Sequence, residues 1–95
     1  MRSTFRCVLM AQDKRRRLTL LSREYCHLCE EMIVALRELE ARRGDFEFEI
    51  VNIDEHPQLE ERYGERVPVL LLGDKEICHY HLNPAALDIC LTRRG

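Results

Sequence analysis

The run Leu18-Thr19-Leu20-Leu21-Ser22-Arg23-Glu24-Tyr25-Cys26-His27-Leu28-Cys29-Glu30-Glu31-Met32 changes its hydrophobic period part-way along. Leu18 to Leu21 is short and almost wholly apolar, the pattern of a strand buried on both faces, as in parallel sheets. From Cys26 onward the apolar residues Leu28, Met32, Ala35, Leu36 and Leu39 fall on one helical stripe. Glu30, Glu31, Glu38 and Glu40 take the other faces. Acidic Glu30 and Glu31 near the start and Arg37, Arg42 and Arg43 toward the end suit the helix dipole, and Gly44 supplies a stop. Ser22–Tyr25 therefore reads as a loop, and the pair Cys26-His27-Leu28-Cys29 stands where a buried strand hands over to an amphipathic helix.

That placement carries the chemistry. A thiolate at a helix N-terminus faces unsatisfied backbone N–H groups and the positive end of the dipole, which lowers its pKa. Cys26, nearer the N-terminus and solvent, is the expected nucleophile. Cys29, one turn inward, is the expected resolving thiol. Arg23 and protonated His27 favour the thiolate, while Glu24, Glu30 and Glu31 oppose it. An isolated CxxC also reads as two ordinary thiols or half a zinc site; the strand–CxxC–helix setting favours dithiol redox chemistry.

Downstream, Phe46-Glu47-Phe48-Glu49-Ile50 alternates as a strand with one buried and one wet face. Asp54-Glu55-His56-Pro57 starts a short helix that Gly64 closes after Tyr63. Val67-Pro68-Val69-Leu70-Leu71-Leu72 is a buried strand with a proline at its mouth. Gly73-Asp74 turns the chain into a hairpin partner, Glu76–Tyr80. Asn83 and Pro84 then open a last helix, Ala85 to Leu91. The order β-α-β-α-β-β-α implies an α/β fold: a four-stranded mixed sheet with a parallel first pair, an antiparallel hairpin and helices on both faces.

Composition narrows the function classes. Ninety-five residues make one domain, expected at residues 17–95 behind a short N-terminal extension, residues 1–16, whose five-residue apolar run Cys7–Ala11 is too short for a secretory leader. No apolar stretch is long enough for a membrane-spanning helix. Fifteen Lys and Arg against seventeen Asp and Glu are too balanced for a nucleic-acid binder. Residues 1–25 are nonetheless basic, with seven basic and two acidic side chains, and the remainder acidic, with eight and fifteen. Arg15-Arg16-Arg17 reads as a solvated lead-in to the first strand. Five cysteines, an odd and scattered set, argue against a disulfide scaffold and for a reducing, cytoplasmic setting. Cys90, beside Leu87, Ile89 and Leu91, reads as a buried structural thiol.

With these motifs in hand, Leu18–Leu91 resembles the thioredoxin superfamily, and most closely the small bacterial glutaredoxin-like proteins. Strand–CxxC–helix, a Val-Pro pair opening the third strand, and a hairpin followed by a terminal helix match in order. The resemblance implies a cis peptide at Pro68 beside the cysteines, with Val67 offering backbone groups to a substrate disulfide. It places Arg23 where a cation steadies the thiolate, and Tyr25 beside the nucleophile, where it either shields the sulfur or packs. His27-Leu28 replaces the Pro-Tyr or Gly-Pro found between the cysteines of better-known relatives. Cys78-His79 stands where a Gly-Gly pair admits glutathione, and side chains there narrow the pocket.

The resemblance implies reversible dithiol–disulfide exchange on a protein or low-molecular-weight disulfide, in a monomer that draws electrons from a reductase or glutathione. No fixed cofactor, metal, nucleic acid or membrane is expected, and whether glutathione binds is left open. Two alternatives stand beside it. One is a zinc or iron–sulfur module using Cys26 and Cys29 with Cys78, His79 or His81. Because Cys78 and Tyr80 alternate with His79 and His81, only part of that set can converge. The other is a redox-sensing or binding domain without turnover.

Overall fold

The structure is a computed structural model in which residues 16–92 are described. Cys7 and most of the expected N-terminal extension lie outside the described residues. Strand β1 (Arg16–Ser22) leads through a turn to helix α1 (His27–Arg43), then to strand β2 (Phe46–Asn52). A single 3-10 turn (Ile53–Glu55) precedes the short helix α2 (Pro57–Tyr63). Strands β3 (Val69–Leu72) and β4 (Lys75–His79) form the hairpin, and helix α3 (Pro84–Thr92) ends the fold.

The sheet order is β2-β1-β3-β4. β1 runs parallel to β2 with Leu18 opposite Phe48, as a strand–helix–strand crossover demands. β1 is antiparallel to β3, pairing Leu20 with Leu70 and Leu21 with Val69. β3 and β4 pair antiparallel, with a register shift between Leu70 and Leu71. This is the four-stranded mixed α/β sheet expected from the element order, and the thioredoxin-like fold that the resemblance implies.

Alternation within the two central strands sorts the core into two layers. Leu18, Leu20 and Leu70 pack with Met32 and Leu36 of α1, Leu87 of α3 and Phe46. On the opposite face Leu21, Val69 and Leu71 pack with Ile53 and Tyr63. Helices therefore cover both faces, and the apolar runs of β1 and β3 follow from being sandwiched. α1 ends at Gly44 in the left-handed conformation (φ 73°), where its N–H donates to the Glu40 carbonyl. Arg43 then clasps Asp45 with two hydrogen bonds and reaches Asp88 of α3, tying the end of one helix to the other.

Several expectations need correction. Val67 and Pro68 precede β3 rather than belonging to it, and β4 spans Lys75–His79 instead of Glu76–Tyr80. The short helix does end at Tyr63 with Gly64 as its C-cap, as expected; that glycine is right-handed (φ −55°) and begins a turn at residues 64–66. Ile50 shares the alternating face of Phe46 and Phe48 but is exposed, because it lies toward the end of an edge strand. Cys90 is half-buried rather than buried.

Candidate active site

The register brings the functional segments to one end of the sheet. Because Leu21 pairs with Val69, the loop leaving β1 toward Cys26 and the Val67–Pro68 segment approaching β3 emerge side by side. The Val67–Pro68 peptide is cis, and Pro68 is fully buried. Its carbonyl accepts the N–H of Tyr80 at 2.9 Å, which draws the chain leaving β4 to the same end.

Cys26 is the N-cap of α1, with extended backbone (φ −112°, ψ 110°). Its Sγ accepts the backbone N–H of Cys29 at 3.1 Å, filling the role that a serine or aspartate oxygen plays in an ordinary cap. Cys26 and Cys29 are joined as a disulfide, with Cα atoms 5.1 Å apart, inside the range this bond accepts. Their environments differ. Cys26 is half-buried, whereas Cys29 is 1% exposed beneath the first turn of the helix. Cys26 is thus the more exposed of the two, and the i, i+3 spacing puts the second sulfur within bonding reach.

The flanking residues divide into two sets. Tyr25 is 98% exposed and adopts φ +59°, a left-handed conformation uncommon for a residue with a Cβ. Among the described residues nothing covers the ring, which stands one residue before Cys26. His27 is exposed, and Leu28 and Val67 are half-buried, the last packed against the layer containing Leu21. Arg23 points elsewhere: its guanidinium pairs with Glu60 of α2, and its Nε sits buried 3.4 Å from Asp54 Oδ1, near enough for attraction but not aligned for a hydrogen bond.

A depression of about 440 Å³ opens beside Cys29, with Ser22, Tyr25, Ile33, Ile50 and Asn52 in its wall. Ile50 and Asn52 were missed in the sequence. Strand alternation assigned Ile50 to the core, and nothing local to β2 indicates that its end borders the cysteine loop. Tyr80 follows β4. It adopts φ +66°, and its hydroxyl donates to the Glu65 carbonyl at 2.9 Å, bracing the segment before Val67. Nearby, Glu76 holds both Arg66 (3.2 Å) and His79 (2.6 Å). Among the described residues no three His, Cys, Asp or Glu side chains gather into a metal-holding group. No helix among them is long and apolar enough to cross a membrane.

A helix-capping cysteine bonded to a buried partner, with a Val–Pro segment at the same sheet end, invites comparison with known folds. Residues 17–92 match the model of the Glutaredoxin-like domain (DUF836). The chain belongs to that family. Protein Ne2328 from Nitrosomonas europaea is 44% identical, with a TM-score of 0.72 over 82% of this chain and 93% of its own. A structural-genomics target protein from X. campestris is 38% identical, with a TM-score of 0.60, covering 82% of this chain and 99% of its own. Mitochondrial thioredoxin 3 from Saccharomyces cerevisiae, at 21% identity and a TM-score of 0.60, covers 94% of this chain and 86% of its own, and shares the fold. No curated protein matches the chain. The glutaredoxin-like family agrees with a redox role for the cysteine pair.

Proposed function

We propose that this glutaredoxin-like domain carries out reversible thiol–disulfide exchange. One observation supports the reading above all others: the sulfur of the half-buried Cys26 accepts a backbone N–H at a helix N-terminus while its bonded partner, Cys29, is fully buried. In the reduced protein that N–H and the helix dipole stabilise a thiolate on Cys26. The thiolate attacks a substrate disulfide, forming a mixed disulfide and releasing one substrate thiolate. Cys29, having lost its proton to solvent, attacks Cys26 Sγ and expels the second substrate thiolate. Two electrons pass from the protein dithiol to the substrate, and the Cys26–Cys29 disulfide forms. A thiol donor, either glutathione or a reductase, returns the two electrons.

Val67 and Pro68 present the exchanging disulfide, and Tyr25, His27 and Leu28 border it. Arg23 holds the cysteine loop to α2 through Glu60. Substrates are protein or low-molecular-weight disulfides, and a monomer in the cytoplasm, where thiols are kept reduced, suits this chemistry.

The test is trapping. Reduced Cys29→Ser protein mixed with bis(2-hydroxyethyl) disulfide should accumulate a mixed disulfide on Cys26, seen by intact mass. Cys26→Ser should neither form it nor turn over. Equal mixed-disulfide formation in the two variants would contradict the mechanism.

A further inference from the structure

Among the described residues the surroundings of the cysteine pair are acidic, and the Arg23 guanidinium there is already engaged. Arg23 stands three residues before Cys26, yet its charge is shared between Asp54 and Glu60. Glu24 and Glu30 line the depression beside Cys29 together with Tyr25, Ile33, Ile50 and Arg23, whose charge Asp54 and Glu60 already offset. Glu30 continues with Glu31, His27 and the exposed Val34 into a second depression of about 380 Å³ along α1. The helix N-terminus contributes only about half a positive charge. Three exposed carboxylates outweigh it, so an incoming group meets a negative potential over an apolar floor.

From this we infer that Cys26 exchanges preferentially with cysteines of polypeptides flanked by Lys or Arg and an apolar side chain, and disfavours glutathione disulfide, a net anion. The inference rests on the exchange reading above and names its substrate class. An apolar side chain beside the exchanging cysteine would contact Tyr25, Ile33 and Ile50 while the cation meets Glu24 and Glu30. A cationic substrate would be drawn in and held by charge complementarity, and an anionic one repelled. The exchange itself is unchanged: the substrate disulfide is reduced by two electrons as the Cys26–Cys29 bond forms.

The test uses three disulfide-linked peptide dimers, identical except that Lys, Ser or Glu flanks the cysteine, and follows single-turnover oxidation of the reduced full chain. Each rate is divided by that of dithiothreitol with the same peptide, which removes intrinsic differences in leaving group. The Lys peptide should exceed the Glu peptide by about tenfold at an ionic strength of about 0.02 M, with the ratio shrinking at about 0.5 M. Replacing both Glu24→Gln and Glu30→Gln should cut that ratio by about threefold or more. A ratio of one or less at low salt, or one that the double variant leaves unchanged, would overturn the inference while leaving exchange intact. Failure to oxidise with the neutral Ser peptide would instead overturn the exchange reading, and this inference with it.

Discussion

The backbone N–H of Cys29 points at Sγ of Cys26 across 3.1 Å, so the first turn of α1 is capped by the sulfur expected to react. Capping and reactivity have one origin. The orphan N–H groups that an ordinary helix satisfies with an oxygen are here aimed at an atom that can hold negative charge. Reduction converts the acceptor from a disulfide sulfur into a thiolate, a stronger acceptor at the same place.

Tyr25 supplies a test of backbone strain beside the site. At φ +59° a Cβ costs about 1–2 kcal/mol, while glycine loses about 0.5–1 kcal/mol through its freer unfolded chain. Tyr25→Gly and Tyr25→Ala both remove the exposed ring, but only the first removes the Cβ. Urea denaturation of the oxidised proteins should find the glycine variant at least as stable as the alanine variant, by up to about 1 kcal/mol. An alanine variant clearly more stable than the glycine one would show that the left-handed conformation is absent.

Acid should weaken the clasp of Arg43 on Asp45 at the end of α1. The Arg43 guanidinium holds the Asp45 carboxyl below its ordinary value, chiefly through their hydrogen bonds, with burial opposing. A depressed carboxylate contributes stability above its unfolded pKa and loses it as pH falls through the folded one. Stability should therefore fall more steeply from about pH 5 toward pH 2 in the parent than in Asp45→Asn. Parallel acid-denaturation curves would contradict this.

Cys78 should be slower to react than Cys26. Burial pushes its pKa up, outweighing a backbone hydrogen bond from Asn83. At about pH 8, iodoacetamide should label Cys26 of the reduced protein well before Cys78, with Cys78 reaching a free-thiol rate only on unfolding. Peptide mapping that found Cys78 reacting as fast as cysteine in a flexible peptide would refute its burial.

Much of this was legible before any coordinates. Leu18–Leu21 followed by a helical stripe from Leu28 to Leu39 located the cysteine pair at a helix start, because a change of period marks a change of element. Gly44 and Pro84 fixed helix ends through backbone constraints of their own. Misreadings arose where the outcome depends on distant neighbours. Alternation assigns Ile50 to a face but does not say whether another element covers that part of an edge strand. Arg23 looked like a partner for Cys26 until α2 brought Glu60 alongside it. Nothing near Tyr25 or Tyr80 announces a positive φ, since neither is a residue that favours one. The antiparallel pairing of β1 with β3, which puts Pro68 at the cysteine end of the sheet, follows from packing of the whole chain.

The most direct measurement is the rate of Cys26 alkylation in the reduced protein as a function of pH, with the labelled cysteine identified by mass spectrometry. Cys26 should react first, with a midpoint below the value of about 8.5 found for a free thiol. A midpoint at or above that value, or labelling of Cys29 ahead of Cys26, would contradict the account.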